Sequence, residues 1–365
     1  MSKKAVSFVI ISSLILGALG SWIWQRYIIP ELNTVPFLVH YNLAPKAGPV
    51  VINTIQQIRV NEGSDTVAAI QTVEPWTVAV LSGGRVVAGG LILTSDGIIA
   101  TTKAAVTGAN TSTATAPGAL AVKFTDGSVA PAALAASDPA SALLLLKISS
   151  KSGLPTANFG DPAELQLSQR MIGLIPTLGE QQANAAVSYL SQTLNSVNYS
   201  EIYSADILSQ RTFLVDGSQN WPEGTIVLSA DGLVQGIDSA SAIIPAGIIQ
   251  SGLRSYFDNN NKIVRNSVGI NYQYISKAQA QLSSGKQGIV LKSNGKIPAV
   301  ILGGPAAKAG LQQDDLIYAV GGTQIDVNNN FENLIGQYKP GDSVRLSIQR
   351  GKDLTTFNLT IGAQQ

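Results

Sequence analysis

Residues 89–106 read GGLILTSDGIIATTKAAV, and the Ser95-Asp96-Gly97 step between two apolar runs decides what kind of domain this is. A short turn flanked by apolar residues makes a β-hairpin, because glycine supplies the positive φ that tight turns require. The same pattern recurs on both sides. VAVL (78–81) precedes Ser82-Gly83-Gly84, and AVKFTDGSVAPAAL (121–134) is centred on Asp126-Gly127. Several short hairpins in succession predict an antiparallel barrel or sandwich, so the stretch from 64 to 255 is expected to be mostly β.

The chain has 365 residues, long enough for two domains and a further segment. Charged residues make up only 13% of it, so its surface is covered largely by uncharged polar side chains. The 24 basic and 23 acidic residues almost cancel, which leaves no summed field to hold nucleic acid. There is no cysteine, hence no disulfide framework and no thiolate metal site. No metal-ligand spacing and no glycine-rich phosphate loop occurs, and no cofactor is expected. The single histidine, His40, sits between Pro36 and Pro45, far from the hairpin region.

From Ala5 to Trp24 the sequence AVSFVIISSLILGALGSWIW carries no formal charge. At about 1.5 Å per helical residue it spans roughly the 30 Å of a bilayer core. Lys3 and Lys4 precede the run, while Arg26 and the aromatic residues Trp22, Trp24 and Tyr27 follow or end it. That polarity predicts a single-pass plasma-membrane anchor over 1–26, N-terminus cytoplasmic and the remainder extracytoplasmic. A cleaved signal peptide with Ala18-Leu19-Gly20 at its cleavage site is the competing reading, but apolar character persists through Trp24. Residues 27–63, with Pro30, Pro36, Pro45 and Pro49, read as a tether.

Four blocks in the hairpin region resemble the HtrA family of serine proteases. Residues 89–106 are similar to the HtrA stretch ending in T-N-N-H-V-V, and SDPASALLLLKI (137–148) to D-P-x-T-D-x-A-V-L-K-I. LPTANFGDPAELQLSQRMIGLI (154–175) and WPEGTIVLSADGLVQGI (221–237) follow in family order. The resemblance implies a mostly β architecture: a trypsin-like double β-barrel over 64–255, behind an N-terminal transmembrane helix and followed by a C-terminal PDZ domain. It also places the family's histidine, aspartate and serine on Ala104, Ala142 and Glu223. A serine needs a neighbouring base, and the base an orienting group, so these three residues imply no triad chemistry. Trp221 and Pro222 replace the glycine and asparagine ahead of the nucleophile, which disfavours the turn of an oxyanion hole. Lys103 beside the former histidine position, and Glu223 with Asp216, read as loop residues.

After the polar stretch SYFDNNNKIVRN (255–266) the pattern changes. PAAKAGLQQDDLIYAVGGTQI (305–325) resembles the PDZ segment P-A-x-x-A-G-L-x-x-G-D-x-I-x-x-V-N-G-x-x-I, and residues 339–362 resemble its last two strands. A PDZ domain over 262–363 would take an extended peptide as an added strand and hold its terminal carboxylate on backbone amides. The resemblance places the carboxylate loop on Val268, Gly269 and Ile270 and the receiving strand on Asn271 and Tyr272. The facing helix carries Phe331, Leu334 and Ile335. The expected protein is a catalytically inactive, anchored scaffold for peptides or protein C-termini in envelope quality control, homotrimeric or trimeric with HtrA relatives. Endopeptidase action through an unrecognised site, or a structural envelope role, are the alternatives.

Overall fold

The computed structural model describes residues 3–28, 62–107, 120–148, 153–175, 184–194, 196–239, 242–282, 286–326 and 328–364. Helix α1 (Lys3–Ile23) runs on through a π-helical turn at Trp24–Ile28. Phe8, Leu14, Leu16 and Trp22 are exposed along it, and the helix is long and apolar enough to cross a bilayer. Most of the tether, including His40, lies outside the described residues. Residues 1–60 and 61–365 are separate units, and the second holds everything that follows.

That second unit opens on a helix where the sequence reading expected tether and strand. Helix α2 (Glu62–Val73) places Ala69 and Val73 in a core with Leu91, Leu143 and Ile237. Six strands come next: β1 (Thr77–Ser82), β2 (Arg85–Ile92), β3 (Ile98–Thr102), β4 (Leu120–Phe124), β5 (Val129–Ser137) and β6 (Leu143–Ile148). They close into a barrel in the order β1-β2-β3-β6-β5-β4, with the short helix α3 (Ala104–Thr107) after β3. The hairpin turns fall where glycine predicts them. Gly97 has φ +94°, and a Cβ there would stand 2.5 Å from the Ile148 side chain, so no other residue fits.

Strands β7 (Arg170–Ile175), β8 (Asn184–Gln192), β9 (Tyr203–Ser204), β10 (Leu214–Val215), β11 (Ile226–Ser229), β12 (Val234–Ser239) and β13 (Ala242–Pro245) follow. All but β9 form a six-stranded sheet, β10-β8-β7-β11-β12-β13. Among the described residues this second sheet is not closed by hydrogen bonds. The mostly β, barrel-like architecture expected from the sequence is present, with the second sheet's edge strand β10 only two residues long.

Helix α4 (Ala246–Asp258) leads out of the sheet, so the polar stretch 255–266 begins in its last turn. The remaining elements are β14 (Arg265–Ser267), β15 (Asn271–Ile275), α5 (Lys277–Leu282), β16 (Gly288–Leu291), α6 (Pro305–Lys308) and β17 (Leu316–Val320). Then come β18 (Thr323–Gln324), α7 (Phe331–Ile335), β19 (Ser343–Arg350), β20 (Asp353–Thr360) and β21 (Gly362–Gln364). Their sheet runs β20-β19-β17-β16-β15 and is completed by β9, a strand supplied from far upstream. β14 pairs with β21, which brings the start and end of this part together.

Candidate functional site

Two sites follow from these elements. The first lies where the barrel meets the second sheet. Lys103 N–H donates to the Ala142 carbonyl at 2.8 Å, which sets Ala104 beside Ala142. Gly89 N–H donates to the Glu223 carbonyl at 3.0 Å, and Thr101 Oγ1 donates to the Gly89 carbonyl at 2.7 Å. β2 and β3 thus tie Glu223 to the strand that leads into Ala104. These bonds link the segments that carry Ala104, Ala142 and Glu223 through β2 and β3, and no side chain among the three is an alcohol or an imidazole. Trp221 ends a 3-10 turn at Ser218–Asn220, and its N–H donates to the Ser218 carbonyl at 2.9 Å. In a trypsin-like site the amides of the nucleophile and of the residue two before it bind the oxyanion. Here the Trp221 amide is already bonded within its own turn. Gly173 in β7 makes room for the Trp221 indole, since a Cβ at Gly173 would lie 3.0 Å from the ring.

The second site is the groove between β15 and α7. Val268, Ile270, Tyr272, Phe331, Leu334 and Ile335 are all buried in one apolar core. Asn271 is buried as well, and its side chain donates to the Pro298 carbonyl at 2.7 Å. Gly269 has φ +75°, which turns successive amides of the loop the same way. Helix α7 is shorter than the stretch from Asn329 to Tyr338 suggests. Asn330 caps it by accepting from Asn333 N–H at 2.8 Å, and Gly336 ends it after five residues.

The loop amides already hold a carboxylate. Val268 N–H donates to Asp206 Oδ1 at 2.7 Å, and Gly269 N–H donates to Asp206 Oδ2 at 3.1 Å. Ser267 Oγ donates to Oδ2 at 3.0 Å. Immediately before Asp206 the chain runs along β15 as an antiparallel strand, Tyr203 opposite Tyr272 and Ser204 opposite Asn271. Ala205 N–H donates to the Ile270 carbonyl at 3.0 Å. Tyr203 stacks on Tyr272 with ring centroids 6.0 Å apart. From the other wall Glu332 accepts from the hydroxyls of Tyr272 and Tyr274 and pairs with Arg211 at 3.2 Å. Burial, then the Glu332 charge, pushes both phenols well up, so they remain donors.

Comparison with known proteins bears on the fold of both parts. Residues 279–361 match the PDZ domain family. A probable periplasmic serine endoprotease, DegP-like, of Pseudomonas putida W619 is 25% identical over 287 residues, 75% of this chain and 55% of that protein. The serine protease Do-like HtrA of Bacillus subtilis 168 is 26% identical over 255 residues, 65% of this chain and 56% of that one. The chain carries a PDZ domain and is homologous to the DegP/HtrA serine proteases. This HtrA homologue spans just over half the length of the curated relatives it matches. Its fold is that of the solved HtrA-type protease AlgW with a decapeptide (TM-score 0.59, 16% identity, 82% of this chain and 99% of that one). The serine endoprotease from Yersinia pestis gives a TM-score of 0.51 at 18% identity, over 82% of this chain and 98% of that one.

In this HtrA homologue the cleft contains an unusual acid. Asp238, in β12, is buried, and burial followed by the nearby Glu223 charge raises its pKa to about 7. An acid with a raised folded pKa binds more protons folded than unfolded between about pH 4 and 7, so stability falls as pH rises through that window. Solvent screening in a cleft reduces the full effect to about 1–2 kcal/mol. Asp238→Asn is therefore expected to raise Tm by a few degrees at pH 8 and leave it nearly unchanged at pH 4. Thermal melts that show the same shift at both pH values would refute this.

Sequence reading did not find Tyr203, Asp206, Arg211 or Glu332. The stretch 198–211 has no sustained apolar period, and the two-residue β9 is too short to leave one. A tyrosine followed by an acidic residue in a polar loop looks like any solvated turn.

Proposed function

We propose that this HtrA homologue is a non-catalytic, membrane-anchored peptide-binding protein. The observation that carries the reading is what stands at the family's three positions: Ala104, Ala142 and Glu223 supply neither a hydroxyl nucleophile nor an imidazole base. The Trp221 amide, already bonded to the Ser218 carbonyl, supports it, because an oxyanion hole needs donors free for the substrate. The PDZ groove is the functional part. Its loop amides suit a carboxylate, its strand suits an added strand, and Leu334 and Ile335 suit an apolar last side chain. The apolar α1 helix holds the protein to the membrane with its globular unit outside the cytoplasm, where it meets unfolded or C-terminal segments of envelope proteins. Self-association, or association with an active HtrA relative through the barrel, gives a trimer.

The test has two arms. The detergent-solubilised full chain, freed of contaminating proteases, is expected to leave casein intact and to take no fluorophosphonate label. Restoring Glu223→Ser alone leaves both results unchanged, since a serine without its base stays unactivated. Calorimetry with a peptide ending in an apolar residue is expected to show about micromolar affinity, with the C-terminal amide form at least about tenfold weaker. Cleavage of casein by the unmodified chain overturns the first half, and equal affinity for acid and amide overturns the second.

A further inference from the structure

We propose that residues 203–206 are a tethered, replaceable ligand that keeps the PDZ groove closed until a better C-terminus competes for it. This rests on the peptide-binding reading above and specifies how the groove is regulated. Strand addition, loop amides and side-chain pocket are the three things a free peptide would use, and the chain itself uses all three. β9 adds to β15, the Asp206 carboxylate sits where a terminal carboxylate would, and Ala205 is the residue that donates to the Ile270 carbonyl beside the pocket. In side-chain terms the segment imitates a peptide ending in Tyr-Ser-Ala.

The imitation is incomplete, and that makes it replaceable. Tyr203, Ser204, Ala205 and Asp206 are each only half-buried, and Ile207 directly after them is exposed. A two-residue strand at a sheet edge, its side chains only half-buried, is held by few ladder bonds and opens more readily than the central strands. Ala205 offers a single methyl group, and beside it an open cleft of about 650 Å³ remains, with Phe331 and Ile335 on the PDZ side and Ala140, Pro245 and Ile248 on the other. A peptide ending in leucine or another branched apolar residue buries more surface at the same place. The competitor this geometry fits is therefore an extended C-terminus with a free carboxylate, a large apolar last residue and an aromatic residue two before it. Tyr272 and Tyr274 line the position where Tyr203 now lies. The tether keeps the internal segment at a high effective concentration, so apparent affinity is the intrinsic affinity reduced by the fraction of open groove.

Two variants test this in the detergent-solubilised full chain by fluorescence anisotropy, with a fluorescein-labelled octapeptide ending in Tyr-Ser-Leu as the free acid. Asp206→Ala removes the internal carboxylate and is expected to tighten binding about tenfold or more. Ser204→Cys with Asn271→Cys joins the segment to β15. These residues face each other between two hydrogen-bonded pairs, a spacing of about 4.5 Å that suits a disulfide, and the chain has no other cysteine. Oxidised, the double variant is expected to bind far more weakly than its own dithiothreitol-reduced form. If Asp206→Ala binds no tighter than the parent chain and the oxidised lock binds as well as the reduced form, the segment is no competitor. In that result the tethered-ligand proposal falls while the peptide-binding reading stands. If no form binds the peptide, including Asp206→Ala, the peptide-binding reading itself falls and takes the proposal with it.

Discussion

Arg265→Met is expected to lower the stability of the globular unit by about 3–5 kcal/mol, because it strands a fully buried carboxylate. Asp138 has no exposed surface, and Arg265 is 9% exposed. The guanidinium meets that carboxylate at 2.5 Å through Nη2 and at 3.0 Å through Nε. The remaining donors are used too. Nη1 donates to Ser251 Oγ at 2.8 Å and Nη2 to the Ile248 carbonyl at 3.0 Å. Asp138 also accepts from Ala140 N–H and Ser141 Oγ, so both partners are close to saturated with hydrogen bonds. One side chain thereby joins the β5–β6 connection of the barrel, helix α4 and the first strand of the PDZ part. A fall in Tm of roughly 10 °C is the expected reading. Replacing both partners, Asp138→Leu with Arg265→Met, should recover much of the loss, since the unpaired charge rather than the missing bond carries the cost. A single-variant loss below about 1 kcal/mol would show that the joint is held by something else.

The second large effect belongs to Gly224, in the loop that packs against β2. Its φ is +78°, and a Cβ there would lie 2.2 Å from Gly89 N and 2.5 Å from Gly89 O. The obstructing atoms are backbone, so no rotamer change relieves the clash. Gly224→Ala is expected to cost about 3–5 kcal/mol by pushing the loop off β2 and breaking the Gly89–Glu223 hydrogen bond. Gly217→Ala is the matched control, with a similar φ of +72° but open space around it. It should cost only about 1–2 kcal/mol, the price of a left-handed alanine. Urea melts that give the two variants equal losses would mean that backbone strain, and not the close approach of β2, governs this loop.

Much of the fold is legible because it is local. Ser95-Gly97 and Asp126-Gly127 announce their hairpins within a few residues, and Pro305 and Gly310 bracket a short helix in the same way. The positions Ala104, Ala142 and Glu223 are read through resemblance alone, since no local pattern in their own segments marks them as a site. What the sequence hides is long-range. Asp138 and Arg265 are 127 residues apart, and neither is marked in its own segment as a buried ion. β9 has no periodicity of its own, because its place is set by the unpaired edge of β15 and by the amides of Val268 and Gly269. Helix α2 was obscured by starting in Glu62-Gly63-Ser64-Asp65, which reads as turn. Asp238 looks like an ordinary strand-end acid, because its burial comes from residues packed around it and not from its own segment.

The strand that completes the PDZ sheet also fixes an order of events during synthesis. Asp206 precedes Ser267 by 61 residues, so at about 5–20 residues per second it leaves the ribosome on the order of ten seconds earlier. The barrel and second sheet are then available to fold while the PDZ strands are still being made, with β9 displayed as a waiting edge. When β15 emerges, its first partner in reach is this edge, not β16, which follows later in the chain. Refolding from denaturant has no such sequence of arrivals, so β15 meets β9 and β16 at the same time, and the nearer partner, β16, has the lower closure cost. The nascent protein thus meets its own upstream chain before any foreign C-terminus can reach the groove.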